Sequence, residues 1–231
     1  MKLYEQVIPA QFISRPNRFI ARVRIDGREE TVHVKNTGRC KELLVPGCRV
    51  YLETSSNPAR KTKFDLIAAE KETPQGTLLI NMDSQAPNKA AEEWLQRGAV
   101  FGKDAIIRRE VTYGSSRFDL CIEENGQTSY MEVKGVTLEK DRRVYFPDAP
   151  TERGVKHVGE LIRAKKNGLG AYILFVVQMS GALSFSPNDE THPQFGQALR
   201  LAQQNGVQII AAQCRITPNS MEITGQIPVI L

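Results

Sequence analysis

One short hairpin, residues 117–134, constrains the fold of this chain more than any other segment. Its centre is Asn125-Gly126, the pair that most readily forms a two-residue type I′ turn, because both central residues take φ > 0. A turn at this point fixes the register of the two strands and pairs Asp119 with Glu132. Because side chains alternate along a strand, one apolar face is predicted to carry Phe118, Leu120, Ile122, Met131 and Val133.

The opposite face of this hairpin places two acids across from each other. Asp119 and Glu132 would have Cβ atoms about 5 Å apart, where like charges repel. A divalent cation would relieve that repulsion, and Mg²⁺ prefers one or two carboxylates together with several waters. Lys134 lies on the same face and would reach a phosphate oxygen or a water, as phosphodiester hydrolysis requires. The alternative is a half-exposed strand on which Glu132 and Lys134 form a surface pair.

Composition places the chain among ordinary globular proteins. The 231 residues are 41% hydrophobic and 25% charged, which fits one or two domains. The four cysteines, Cys40, Cys48, Cys121 and Cys214, show neither zinc-site spacing nor the density of a disulfide framework, so a reduced, cytoplasmic protein is expected, with association with the nucleoid left open. No apolar run approaches the length of about 20 residues needed to span a bilayer, so no membrane partner is expected.

The cations are clustered, although the net charge of +5 is modest. Residues 15–28 contain five arginines, and a second basic segment covers residues 153–166. Such clusters are the electrostatic footprint of a polyanionic ligand, and a solvated surface is the alternative. Contacts of this kind meet phosphates and do not read sequence. The residues predicted to bind DNA are Arg22, Arg24, Arg153, Lys156 and Arg163.

Residues 1–83 have the pattern of a small β-barrel. In residues 18–26, apolar residues predicted to point inward, Phe19 among them, alternate with outward-facing Arg22 and Arg24. About five short strands with turn signals between them are predicted in this part. The OB-fold is the candidate of matching size, and an SH3-like barrel would give a similar pattern.

A change of pattern predicts a second domain, residues 84–231. Its continuous apolar strand, residues 171–177, indicates a sheet covered by helices on both faces. Thr151 is predicted to cap the N-terminus of one helix, and residues 193–204 are predicted to form another. Strands separated by helices favour parallel crossover connections. The predicted fold class is therefore α/β, of the α+β kind, with a mixed central sheet in the second domain and a helix over residues 90–97 at its start.

Four motifs carry a family resemblance. They are Asn36-Thr37-Gly38, Arg117-Phe118-Asp119, Glu132-Val133-Lys134-Gly135-Val136-Thr137-Leu138 and Tyr145-Phe146-Pro147-Asp148-Ala149-Pro150-Thr151-Glu152-Arg153-Gly154. With them the chain resembles the sugar fermentation stimulation protein A (SfsA) family over essentially its whole length. This resemblance implies an OB-like domain followed by a domain similar to the PD-(D/E)xK nucleases. It also implies a non-specific DNA binder linked to sugar (maltose) metabolism.

The resemblance also assigns roles to individual residues. Asp119, Glu132 and Lys134 match the two acids and the lysine of the nuclease pattern, and Glu110 matches an upstream acid that would be a third metal ligand. The residue before Asp119 is a phenylalanine where the pattern has proline, so the signature is less exclusive here. The alternative for Glu110 is a surface ion pair with a neighbouring arginine.

The predicted function follows from this site. DNA would be held through its phosphates, Asp119 and Glu132 would bind Mg²⁺ or Mn²⁺, and Lys134 would position a water and stabilise developing charge. His157 is predicted to lie on the polar face of its helix, solvated or packed and not a ligand. Two alternatives remain: a DNA-binding regulator without catalysis, because function resides in the site and not in the fold, and an RNA-binding or RNA-processing protein.

Overall fold

A computed structural model describes residues 1–36, 38–57 and 59–231 of the chain. Thr37, the centre of the Asn36-Thr37-Gly38 motif, and Pro58 lie outside the described residues. The described chain forms an N-terminal barrel and a C-terminal mixed sheet, which confirms the predicted α/β class. No helix within the described ranges is long and apolar enough to cross a membrane.

The N-terminal part is a closed barrel of five strands with a sixth strand at its edge. The strands are β1 (Val7–Asn17), β2 (Ile20–Ile25), β3 (Arg28–Val34), β4 (Arg49–Thr54), β5 (Phe64–Thr73) and β6 (Gly76–Asn81). They are ordered β3-β2-β1-β4-β5-β6, and parallel pairing of His33 with Asp65 and of Val34 with Leu66 joins β3 to β5. This pairing closes the OB-like barrel that the sequence predicted.

Alternation along β2 builds the barrel interior, with one exception. Ala21 and Val23 are fully buried, as predicted. Phe19, which was predicted to point inward, is instead 51% exposed. The side chain of Asn17 explains the difference, because its Oδ1 accepts hydrogen bonds from the backbone N–H groups of Phe19 and Ile20 at 2.9 and 3.0 Å. These bonds form a tight turn, and β2 begins only after Phe19.

The C-terminal part contains a six-stranded mixed sheet with helices on both faces. Its elements are α1 (Ala86–Gln96), β7 (Ile106–Tyr113), β8 (Ser116–Glu124), β9 (Gln127–Val136), β10 (Leu138–Lys140), β11 (Arg143–Phe146), α2 (Glu152–Lys166), β12 (Gly170–Val177), β13 (Ser184–Pro187), α3 (Pro193–Gln204), β14 (Gln208–Thr217) and β15 (Ser220–Ile227). The large sheet has the order β15-β14-β12-β9-β8-β7, and β10, β11 and β13 form a smaller one. β9, β12 and β14 run parallel, as expected for crossover connections.

The three helices of the described chain follow local sequence signals. Thr151 caps α2 as predicted, because its Oγ1 accepts a hydrogen bond from the N–H of Gly154 at 3.1 Å. α3 has the predicted bounds. α1 begins at Ala86, four residues before the predicted start, since Pro87 is tolerated in the first turn of a helix, where its missing N–H needs no partner.

The two parts are joined by polar contacts and by a shared core. Gln178, which follows β12, donates from Nε2 to Asn81 Oδ1 at 3.0 Å and to the carbonyl of Asp83 at 3.1 Å. Lys71 of the barrel forms a salt bridge with Glu139 at 2.6 Å. One hydrophobic cluster continues from the barrel interior to the α2–α3 side of the large sheet. The barrel therefore has a defined position beside the C-terminal sheet.

Candidate metal centre

The central hairpin has the predicted register. Asn125 and Gly126 take φ of 49° and 77°, as a type I′ turn requires. Glu124 pairs with Gln127, and the antiparallel pairing continues to Leu120 and Met131. The turn therefore brings Asp119 and Glu132 to the same end of β8 and β9.

The regular pairing stops at Asp119, where the structure differs from the prediction. Asp119 is not a ladder partner of Glu132; instead its Oδ2 accepts a hydrogen bond from the N–H of Val133 at 2.8 Å. The side-chain alternation is also broken, because Phe118 packs in the α2–α3 core and Leu120 in the core beneath α1. The Asp119 carboxylate thus takes the place of a backbone partner where the two strands separate.

Asp119 is held in an environment that disfavours its charge. Burial raises the pKa of the Asp119 carboxyl, and the neighbouring negative charge of Glu132 raises it further. Hydrogen bonds from the Val133 N–H and from Asn88 Nδ2, the latter at 2.8 Å to Oδ1, oppose this shift without cancelling it. An added positive charge close to Asp119 would therefore be stabilising.

Glu132 is more deeply buried, with only 3% of its surface exposed. Its Oε1 accepts hydrogen bonds from Lys134 Nζ and from His157 Nδ1. Burial alone would raise the pKa of Glu132, but the bond from His157 and the charge of Lys134 outweigh it and hold the pKa below its ordinary value. The second oxygen, Oε2, is buried and has no hydrogen-bond partner among the described residues.

His157 connects helix α2 to this centre, which the sequence did not predict. The side chain is only 6% exposed, so its placement on the polar face of the helix was wrong. Arg153 Nε donates to His157 Nε2 at 3.4 Å, which assigns the ring proton to Nδ1, the atom facing Glu132. The two residues in contact are 25 positions apart in the chain. The helical periodicity of α2 alone does not predict the contact between His157 and Glu132.

The donor set fits a small divalent cation. The unpartnered Glu132 Oε2 and the Asp119 carboxylate supply two oxygen ligands, the number that Mg²⁺ uses when it keeps several waters. No group of three or more His, Cys, Asp or Glu side chains within residues 1–36, 38–57 and 59–231 is arranged to hold a metal. A cation here would therefore depend on two carboxylates and on water or substrate oxygens.

Glu110 is not brought to this pair. Its φ of 55° lies in the left-handed region, and its side chain is 53% exposed on β7. The carboxylate forms a salt bridge with Arg117 at 3.1 Å. This is the surface ion pair considered as the alternative, although the partner differs from the arginines that flank Glu110 in sequence.

The predicted DNA-binding cations lie in different places. Arg153 contacts His157 beside the centre. Lys156 Nζ donates to the Ser115 carbonyl at 3.0 Å, and Arg163 pairs with Glu160 of the same helix at 2.9 Å. Arg22 and Arg24 are exposed on β2 of the barrel, where Arg24 lies 3.7 Å from the carboxylate of Glu29.

Comparisons with known proteins agree with this architecture. The family models described as "SfsA N-terminal OB domain" and "Sugar fermentation stimulation protein RE domain" match residues 13–80 and 85–220. A sugar fermentation stimulation protein homolog of Clostridium beijerinckii is 50% identical over 228 residues, covering 99% of both chains. A homolog of Desulfitobacterium hafniense is 50% identical over 219 residues, covering 95% of this chain and 94% of the other.

Among solved structures, the chain is similar to Pyrococcus furiosus SfsA, which was solved in complex with Ca²⁺. The superposition has a TM-score of 0.88 with 28% sequence identity, and it covers 100% of both chains. The barrel, the mixed sheet and the sequence therefore agree on one assignment. The chain belongs to the sugar fermentation stimulation protein (SfsA) family.

Proposed function

We propose that this protein is a phosphodiesterase that depends on Mg²⁺ or Mn²⁺ and acts on DNA bound without sequence preference. The observation that carries this proposal is the buried, unpartnered Oε2 of Glu132 beside Asp119, whose pKa is raised. A half-buried carboxylate beside a buried one is costly unless a cation is shared between them. The Ca²⁺ bound by the Pyrococcus furiosus relative supports a site for a hard cation with oxygen ligands.

The residues around the centre have distinct roles in this proposal. Asp119 and Glu132 would hold the cation, which when bound would stabilise negative charge on a phosphodiester and lower the pKa of a water. Lys134 would bind a phosphate oxygen and stabilise charge that develops during the reaction. Arg153 and Lys156, both exposed on α2, would contact flanking phosphates.

The direct test uses the purified protein with plasmid and with single-stranded DNA. We expect cleavage in Mn²⁺ and none in EDTA, because the two carboxylates need the cation in order to act. Binding that persists in either metal without any cleavage would support the alternative of a DNA-binding regulator. Competition among duplex DNA, single-stranded DNA and RNA in the same assay would reveal an RNA-binding function. Binding that does not weaken as salt rises would contradict phosphate-based recognition.

His157 is expected to position Glu132 for cation binding. Replacing His157 by Ala removes the hydrogen bond to Oε1, and we expect Mn²⁺ affinity to fall about 10- to 100-fold, as is typical for partners of metal ligands. His157→Asn should recover part of this loss, because its amide N–H can occupy roughly the position of Nδ1. Calorimetric titration with Mn²⁺ measures the effect, and His33→Ala is the control, since His33 pairs with Asp65 in the barrel. Equal Mn²⁺ affinity in wild type and His157→Ala would remove this role.

A further inference from the structure

A cleft of about 510 Å³ lies between the barrel and the C-terminal domain. We call it the interdomain cleft; its walls include Arg18, Asn36 and Arg39 of the barrel and Gly135, Phe146 and Asp148 of the second domain. Gly135 directly follows Lys134 of the centre. The strand β9 therefore contributes one residue to the cleft and its direct neighbour to the candidate metal centre.

The barrel wall of the cleft is preformed by one arginine. Arg15 donates from its guanidinium to four backbone carbonyls, those of Arg18, Asn36, Gly38 and Arg39, at 2.6–2.9 Å. The guanidinium of Arg15 is therefore occupied by these carbonyls and is less available to a ligand. The sequence grouped Arg15 with its neighbouring arginines, and the structure separates their roles.

The cleft wall formed by the second domain is hydrogen-bonded to the barrel wall. Asp148 Oδ2 accepts a hydrogen bond from the backbone N–H of Arg39 at 2.9 Å. A Cβ on Gly38 would lie only 2.5 Å from the same oxygen, so glycine permits the close approach of the two walls. The motifs that contain Gly38 and Asp148 are thereby brought together.

Exposed cations line this cleft, and an exposed aromatic ring follows one of them in sequence. Arg18 and Arg39 are exposed and form no salt bridge to any carboxylate of the described residues. A smaller adjoining cavity of about 250 Å³ is also lined by both arginines and adds Lys41. Phe19, next to Arg18, is 51% exposed because Asn17 turns it out of the strand. Exposed aromatic rings among cations are typical of proteins that bind single strands, because bases stack on the rings.

The size of the cleft selects the form of nucleic acid. A cavity of about 510 Å³ has the volume of a small-molecule pocket. A duplex, whose major groove alone is about 12 Å wide, does not enter such a space. Of the described residues that line it, two are arginines and one, Asp148, is a carboxylate whose Oδ2 is already engaged.

We propose that the interdomain cleft is the entry path of a single nucleic-acid strand, with phosphates on Arg18 and Arg39 and a base stacked on Phe19. This inference rests on the proposed phosphodiesterase function and names its substrate class, a single strand or a single-stranded end. Lys134 and the two carboxylates would then meet the backbone of the strand beyond Gly135.

The test measures binding in EDTA, so that it does not depend on catalysis. Labelled single-stranded DNA, RNA of the same length and a blunt duplex are titrated against wild type and the double variant Arg18→Ala/Arg39→Ala. We expect single strands to bind more tightly than the duplex. The double variant should lower the slope of log affinity against log salt by about 1.4, which corresponds to two phosphate contacts with a single strand. Phe19→Ala should weaken binding roughly 5- to 150-fold.

A matched control distinguishes the loss of Arg18 and Arg39 from the loss of any two positive charges. Arg97→Ala/Arg215→Ala removes two arginines that pair with Glu222 at the far edge of the large sheet, and its salt slope should equal that of wild type. Alanine at positions 18 and 39 keeps the carbonyls that Arg15 binds, and thermal melting verifies the fold. The comparison of single-stranded DNA with RNA identifies which of the two is preferred. Preference for either one over the duplex supports the proposed role of the cleft.

The outcomes separate this inference from the proposed function. Two results in a protein that cleaves DNA would overturn the proposed role of the cleft and leave the phosphodiesterase proposal intact. One is tighter binding of the duplex, and the other is an equal salt slope for the two double variants. Binding of single strands that depends on Arg18 and Arg39, without cleavage in Mn²⁺, would support the cleft as a binding site and overturn the phosphodiesterase.

Discussion

Replacing Asp119 by Asn is expected to lower Mn²⁺-dependent cleavage of DNA on the order of 10³-fold. The substitution keeps the size of the side chain and its hydrogen bond from Val133, and rotation of the Asn88 amide restores the second bond, but it removes the negative charge that would hold the cation. Single-turnover rates and calorimetric Mn²⁺ titration measure the two losses, which should occur together. The same substitution at the exposed Asp104 should change neither quantity. Wild-type rates in Asp119→Asn would remove this carboxylate from the active site.

The same variant is expected to be more stable without metal, by about 1 kcal/mol in the free energy of unfolding at neutral pH. The pKa of Asp119 is raised in the folded protein, so its charge opposes folding at pH values above the folded pKa. The advantage of Asn should therefore disappear as pH falls through the folded pKa toward about 3.9, the value for an unfolded chain. Chemical denaturation in EDTA at pH 7 and pH 4 measures this difference. A variant less stable than wild type at pH 7 would contradict the charge conflict.

Replacing Lys134 by Ala is expected to lower the cleavage rate about 10²- to 10³-fold, because a charge donor to the reacting phosphate is lost. Mn²⁺ affinity should be retained, because loss of the hydrogen bond from Lys134 to Glu132 Oε1 is offset by loss of a positive charge that would repel the cation. This separation of rate from affinity distinguishes Lys134 from Asp119. Single-turnover rates and calorimetry supply the two measurements.

Two further variants make the test of Lys134 specific. Lys134→Arg keeps the charge with a different geometry, so it should recover part of the rate. Lys140→Ala removes an exposed lysine after the same strand and should leave the rate unchanged. A Lys134→Ala variant with the wild-type rate would exclude this residue from the reaction and favour a DNA-binding protein without catalysis.

The hairpin and the helices could be predicted from sequence because their signals are local. Asn125-Gly126 specifies its turn without any other contact, since few residue pairs tolerate φ > 0 at both positions. Thr151 caps α2 through an atom three residues away. The bounds of α3 likewise follow from Pro193 and from a helical period that needs no distant partner.

Contacts between residues far apart in the chain determined the placement of Asp119 and His157, which sequence patterns did not predict. The alternation rule predicted that Asp119 would face Glu132 across a regular ladder, whereas the carboxylate fills a gap between separating strands. Helical periodicity placed His157 on the polar face of α2, either solvated or packed, whereas packing of α2 on the sheet buries it against Glu132. Neither departure has a local cause, because each depends on where another element lies.

By itself, the sequence determined the barrel, the mixed sheet, the register of the central hairpin and the pair of acids with its lysine. Only the tertiary structure decided which oxygen of Glu132 lacks a partner, that Glu110 points away, and that Arg15 orders a loop while Arg18 and Arg39 remain exposed. The physical reason is the separation in sequence over which each kind of interaction acts. Turns, caps and alternation act over a few residues, whereas the cleft depends on contacts such as that between Arg39 and Asp148, which are 109 positions apart and meet only when both domains are folded.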